Sequence, residues 1–208
     1  MHIGPRHQCI LYEGSPFKQL ERFAALVAHK LRERHRFVFL NNPAVIAALR
    51  SHLAALGIDV VHELDEGRLI LSSDNRHLAN GRFDAGKMLD LLATTVDHAV
   101  RAGYEELWVS GDMTWEFGAE KDFTKLLEYE FALDLFVRQR PCLHGICQYH
   151  QDTLPPKVIL QGIYCHESLY INVTLSRDNP YFVPSQSVVE HLSELPGADV
   201  HAMLTQLC

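Results

Sequence analysis

The opening stretch His7-Gln8-Cys9-Ile10-Leu11-Tyr12-Glu13-Gly14-Ser15-Pro16-Phe17-Lys18 constrains the fold more than any other part of the chain. An apolar run from Cys9 to Tyr12 leads into Gly14-Ser15-Pro16. Apolar residues then recur with a helical period at Phe17, Leu20, Phe23, Ala24, Val27 and Leu31. This order predicts a buried strand, a tight turn and an amphipathic helix, with Ser15 at the N-cap and Pro16 at the first helical position. Such a junction is a favoured ligand position, because it lies at a strand's carboxyl end and offers the unpaired N–H groups of a helix start. A phosphate-gripping version reads G-x-x-x-x-G-K-[ST]. Here the turn carries a single glycine, an acidic Glu13, and Lys18-Gln19 where Lys-Ser or Lys-Thr is required. The convergent backbone donors and the magnesium-holding hydroxyl are both missing.

The rest of the chain repeats the alternation. Arg36 to Asn41 reads as a strand, and Asn42-Pro43 opens a helix through Val45, Ile46, Leu49, Leu53 and Leu56 to Gly57. Ile58 to Val61 and Arg68 to Ser72 read as two short strands, and Asp74 to Arg82 as a loop. A helix is expected from Asp84 to Arg101, a strand over Leu107 to Ser110, and a helix from about Asp122 to Arg138. Cys142 to Tyr149 reads as a strand, Pro155-Pro156 starts a helix to about His166, and Ser168 to Leu175 forms a last strand. Asn179 to Pro184 is extended before a short helix from Gln186 to Leu195. Strand–helix alternation of this kind builds a parallel sheet with helices on both faces. Residues 1–178 are read as one domain, and 179–208 as an extension that packs on it or leads out of it. No output domain follows, so the chain is expected to be a stand-alone protein or the sensor region of a longer one.

Charge and composition narrow the function. A net charge of −7 leaves no electrostatic footprint for direct nucleic-acid binding. The basic group Lys30, Arg32, Arg34 and Arg36 sits at the end of the first helix, where cations complement the helix dipole. No transmembrane run and no signal peptide are visible, so a cytoplasmic protein without membrane attachment is expected. Five cysteines without a C-x-x-C pair fit reduced thiols.

His7-x-Cys9-x-x-Tyr12, Gly111-Asp112-Met113-Thr114-Trp115, Leu126-Leu127-Glu128-Tyr129-Glu130, Cys147-Gln148-Tyr149 and Asn179-Pro180-Tyr181-Phe182-Val183-Pro184 follow one another in that order. Together they resemble the MEDS domain, the methanogen/methylotroph, DcmR sensory domain, over roughly His7 to His191. The resemblance implies a RecA/KaiC-like three-layer α/β sandwich with a mostly parallel sheet and a degenerate nucleotide site. It also implies a sensory role for a small organic molecule, coupled to a histidine kinase or transcriptional regulator as partner or fused output domain. An acidic residue is expected after Cys147-Gln148-Tyr149, and this chain has His150 instead.

Four groups of residues carry candidate chemistry. Asp112, at a strand end, is placed to hold magnesium. Without a phosphate loop, though, the motif argues against ATP hydrolysis and leaves only nucleotide binding without catalysis. His7 and Cys9 share one strand face, and Cys142 and His144 share a face of another strand, with Cys147 opposite. If those strands are neighbours, His7, Cys9, Cys142 and His144 come within range of a zinc ion. Buried thiols acting as small hydrophobes, or a redox pair, are the competing readings. Glu130 falls within the apolar stripe Phe123, Leu126, Leu133, Val137, where a lone carboxylate costs several kcal/mol unless a structural partner or a ligand meets it. Tyr12, Asp112, Met113, Trp115, Phe117, Gln148, Tyr149 and His150 lie near strand ends and either face one crevice or cap the core. Histidines 29, 35, 52, 62, 77 and 98 read as surface residues.

The combined expectation is a non-enzymatic sensory domain. Its crevice is lined by His7, Cys9, Tyr12, Asp112, Trp115, Glu130, Gln148 and Tyr149, and closed by Tyr181. An atypical RecA/KaiC-like nucleotide-binding protein and a protein-interaction scaffold with a vestigial site are the alternatives. The cofactor, if any, is left open, and so is a homodimer.

Overall fold

The computed structural model describes residues 6–172, 174–176 and 179–184. The helix expected over Gln186 to Leu195 lies outside them. β1 (His7–Tyr12), α1 (Pro16–Arg32), β2 (Arg36–Leu40), α2 (Pro43–Ala55), α3 (Val60–Asp65) and β3 (Leu69–Ser72) come first. A small hairpin of β4 (Leu78–Ala79) and β5 (Arg82–Phe83) then leads to α4 (Ala85–Arg101) and β6 (Leu107–Asp112). The one-turn α5 (Met113–Glu116), a 3-10 turn (Phe123–Lys125), α6 (Leu126–Arg138) and β7 (Leu143–His150) follow. α7 (Pro156–Cys165), β8 (Ser168–Ile171) and β9 (Thr174–Ser176) end the described elements. The main sheet runs β3-β2-β6-β7-β1-β8-β9. Its first six strands are parallel, and β9 returns antiparallel on β8.

Side chains of successive strand residues alternate between the two faces, and each face has its own core. Ile10, Phe37, Phe39, Trp108 and Ile146 pack with Leu20, Phe23 and Val27 of α1 and with Leu49 and Leu53 of α2. Cys9, Leu11, Val38, Val109, Cys147 and Tyr149 pack with Met88 and Leu92 of α4, Leu133 and Val137 of α6, and Ile159 and Ile163 of α7. The three-layer parallel α/β architecture expected from the alternation is therefore the one observed.

Four local readings change. Ile58 to Val61 is not a strand: Val60 opens α3, whose N-cap Asp59 accepts a hydrogen bond from the His62 amide, and Val61 points to solvent. β-branched residues mimicked a strand there, and the cap decides the outcome. The loop expected over Asp74 to Arg82 contains the β4–β5 hairpin, turned by Asn80 and Gly81 with φ of 52° and 81°, the signature of a type I′ turn. The last strand breaks at Asn172, which adopts φ of 45°, into β8 and β9. Ser15 takes the N-cap position of α1 but makes no side-chain cap bond.

Candidate functional site

A crevice of ≈ 470 Å³ opens at the carboxyl ends of β1, β2, β6 and β7. Its walls are Tyr12, Pro16, Asn41, Asn42, Val45, Asn75, Leu78, Gly81, Asp112, Thr114, Trp115, Gly118, Ala119 and His150. Open α/β sheets present ligand sites at this end. Tyr12 and Asp112 reach it because even-numbered residues of β1 and β6 face α1. The Tyr12 hydroxyl donates to Asp112 Oδ2 at 2.7 Å, while the amides of Thr114 and Trp115 donate to Oδ1 at 2.8 and 3.3 Å. Asp112 thus caps α5 rather than standing free. Burial pushes its pKa up, against the pull of these donors, and pushes the Tyr12 phenol up as well. Asn41 is buried and accepts from the Asn42 amide, and Asn42 caps α2.

Two backbone amides of the turn after β1 are bonded to side chains. The Gly14 amide donates to Asp152 Oδ2 at 2.6 Å, and the Glu13 amide donates to Asn172 Oδ1 at 3.2 Å. Asn172 Nδ2 in turn donates to the Glu13 carboxylate. His150 stacks on Tyr12 with centroids 4.7 Å apart, and its Nε2–H donates to the Gly14 carbonyl at 2.8 Å. The Asp152 carboxylate thus sits against the Gly14 amide, just ahead of the start of α1. Among the described residues, no lysine or arginine lines the crevice.

A second polar group lies on the other face of the sheet, buried between β1, β7, α6 and α7. His7 Nε2 is 3.4 Å from Glu130 Oε2 and 3.5 Å from Cys147 Sγ. His166 Nε2 is 3.6 Å from the same Glu130 oxygen, and Tyr149 donates its hydroxyl to Glu130 Oε1. Glu130 is fully buried, as its place in the apolar stripe required, and these groups are its partners. Burial acts to raise its pKa, but the adjacent imidazoles of His166 and His7 and the bond from Tyr149 overcome this and leave it below the ordinary carboxylate value. Burial, then the neighbouring His7, depress His166 to about 4. Asp134 faces His7 Nδ1 at 3.6 Å and accepts from Arg138 at 2.8 Å.

The expected lining residues therefore divide between two places. Tyr12, Asp112 and Trp115 stand in the crevice wall, joined by His150. Gln148 is buried beneath it and donates to Ser110 Oγ at 2.8 Å. His7, Cys9, Glu130 and Tyr149 belong to the opposite face, and Tyr181 packs against that same core. The four-ligand set His7, Cys9, Cys142, His144 is not assembled: His144 is on the α1 face, stacked on Trp108 at 4.2 Å and 3.2 Å from Glu106. The reason is register, since Cys9 sits opposite Cys147 and not opposite His144.

Three polar residues emerge only in three dimensions. His77, expected at the surface, is fully buried, with Nε2 bonded to the Glu116 carbonyl at 2.9 Å and its ring against Trp115. Glu116 lies over Gly111, where a Cβ would meet its Oε1 at 1.7 Å; burial first, then the charges of Glu130 and Asp112, push its pKa well up. His166 follows α7 with no spacing partner to announce it.

Fold and crevice define a three-layer, mostly parallel α/β protein with a crevice at the carboxyl ends of its central strands. The chain belongs to the MEDS family, the MEthanogen/methylotroph, DcmR Sensory domain, whose model matches residues 6–167. It is thus a member of a family of sensory domains. Among solved structures, the crystal structure of the flagellar accessory protein FlaH from Methanocaldococcus jannaschii aligns with a TM-score of 0.53 at 12% identity. That alignment covers 81% of this chain and 72% of FlaH, a likeness of fold. No curated protein matches. Among the described residues, no helix is long and apolar enough to cross a membrane.

Proposed function

We propose that the chain is a non-enzymatic sensory domain that binds a small, neutral or cationic organic molecule in the strand-end crevice. It passes the resulting change to a histidine kinase or transcriptional regulator, either a separate partner or an attached output domain. The observation that carries this reading is the bond from the Gly14 amide to Asp152, which puts a carboxylate where a nucleotide's phosphate would sit. The crevice walls support it: Asn41, Asn42, Asn75 and Asp112 supply hydrogen-bonding groups, Val45, Leu78 and Trp115 supply apolar surface, and among the described residues no lysine or arginine stands in the wall to hold an anion. Membership of a sensory family supports the role.

Native mass spectrometry of protein taken directly from cells tests the proposal. The expected result is a retained small molecule on the wild type that is absent from a folded Trp115→Ala variant. Equal retention by both, or a bare mass for the wild type in every preparation, refutes ligand sensing at this crevice.

A further inference from the structure

The buried group on the α6/α7 face has the geometry of a metal site, separate from the crevice. His7, Glu130, Cys147 and His166 each offer one ligand atom within 4.8 Å of the other three, and all four residues are buried. Zinc bonds of about 2.0–2.1 Å to nitrogen or oxygen and about 2.3 Å to sulfur, set at tetrahedral angles, place ligand atoms roughly 3.3–3.6 Å apart. Four edges of this polyhedron are 3.4, 3.5, 3.6 and 3.8 Å. The donor set His₂CysGlu suits a borderline-soft cation rather than calcium or magnesium.

The surroundings orient the donors inward. His166 Nδ1 lies 2.7 Å from the Gly162 carbonyl, which can only accept, so Nδ1 carries the proton and Nε2 presents its lone pair. That Nε2 is buried and has no hydrogen-bond partner. His7 turns its other nitrogen towards Asp134, which Arg138 fixes in place, the carboxylate–histidine arrangement that supports metal ligands. Glu130 uses Oε1 for the Tyr149 hydroxyl, leaving Oε2 directed at the other three donors. A divalent cation with one thiolate, one carboxylate and two neutral imidazoles sums to zero charge, which makes full burial affordable.

We infer that His7, Glu130, Cys147 and His166 form a tetrahedral zinc site that ties β1, α6, β7 and the end of α7 together. On loading, the Cys147 thiol and any imidazolium at His7 release their protons to solvent, and the four lone pairs bind the ion.

The full chain expressed in zinc-supplemented and in cobalt-supplemented medium tests this directly. Elemental analysis should find equimolar zinc. The cobalt form should show the visible bands of tetrahedral cobalt and a near-ultraviolet thiolate charge-transfer band. That band should vanish in Cys147→Ser and persist in Cys9→Ser, whose thiol lies outside the set. Folded His166→Gln should lose zinc to a chelator at least about tenfold faster than wild type, and His144→Ala should keep it. If Cys147→Ser does not fold, His166→Gln and Cys9→Ser still decide the matter. Folded wild type without metal from both media, or a charge-transfer band lost in Cys9→Ser instead, overturns the assignment.

Discussion

Gly162→Ala isolates the packing on which the buried polar group depends. Gly162 lies in α7, and a Cβ there would sit 2.9, 2.9 and 3.1 Å from three ring atoms of Tyr149. Two effects compete. Replacing a helical glycine by alanine gains about 1 kcal/mol from backbone entropy and propensity. Overpacking a filled core costs about 1–3 kcal/mol. Tyr149 is fully buried, and its hydroxyl is held by Glu130, so the ring cannot swing clear. The clash should sit at the upper end of its range and win, leaving a net loss of about 2 kcal/mol. For a domain of this size that corresponds to a melting point lower by about 4–8 °C. Urea titration and thermal melts measure it. In a Tyr149→Leu background the clash disappears, and the same substitution should become neutral or stabilising by about 1 kcal/mol. A neutral or stabilising Gly162→Ala in the wild-type background would refute this packing of α7 on β7.

Other substitutions test other parts of the account. Glu116 has its pKa raised above the ordinary 4.5, so the folded state holds a proton that the unfolded chain releases as pH rises. Its contribution is therefore greatest at low pH and falls as pH climbs towards the folded pKa, by up to about 1.4 kcal/mol per pH unit. Glu116→Gln should remove that fall and gain steadily on the wild type as pH rises above about 5 in stability curves; parallel curves would show that Glu116 is ionised in the folded protein. Tyr12→Phe removes the hydroxyl that meets Asp112, leaving a buried carboxyl oxygen short of a donor at a cost of about 1–3 kcal/mol. A urea-unfolding loss below about 0.5 kcal/mol would mean that crevice water satisfies Asp112 instead.

Much of the architecture was legible in the chain. Phe17 to Leu31 announced α1, Asn42-Pro43 announced the start of α2, and Glu130 stood out as a carboxylate in an apolar stripe. Within a strand, parity is equally readable: Cys9 and Tyr12 point to opposite faces because they are three residues apart. Pairing between distant strands is not readable, because no local pattern says that Cys9 lies opposite Cys147. Treating closeness in sequence as closeness in space gathered His7 and Tyr12 into one crevice, whereas the sheet separates them. His166 and His77 carried no signal for a similar reason: each acquires its partners only when α7 or the β4–β5 hairpin folds back on the core.

The central claim is that the turn after β1, with its amides on Asp152 and Asn172, cannot hold a triphosphate. Melting of the full chain with and without ATP and magnesium tests it most directly. The account predicts no shift, where an occupied site at a hundred times its dissociation constant would add about 2.7 kcal/mol, or about 5–11 °C. A shift of that size, abolished by Lys18→Ala, would contradict it.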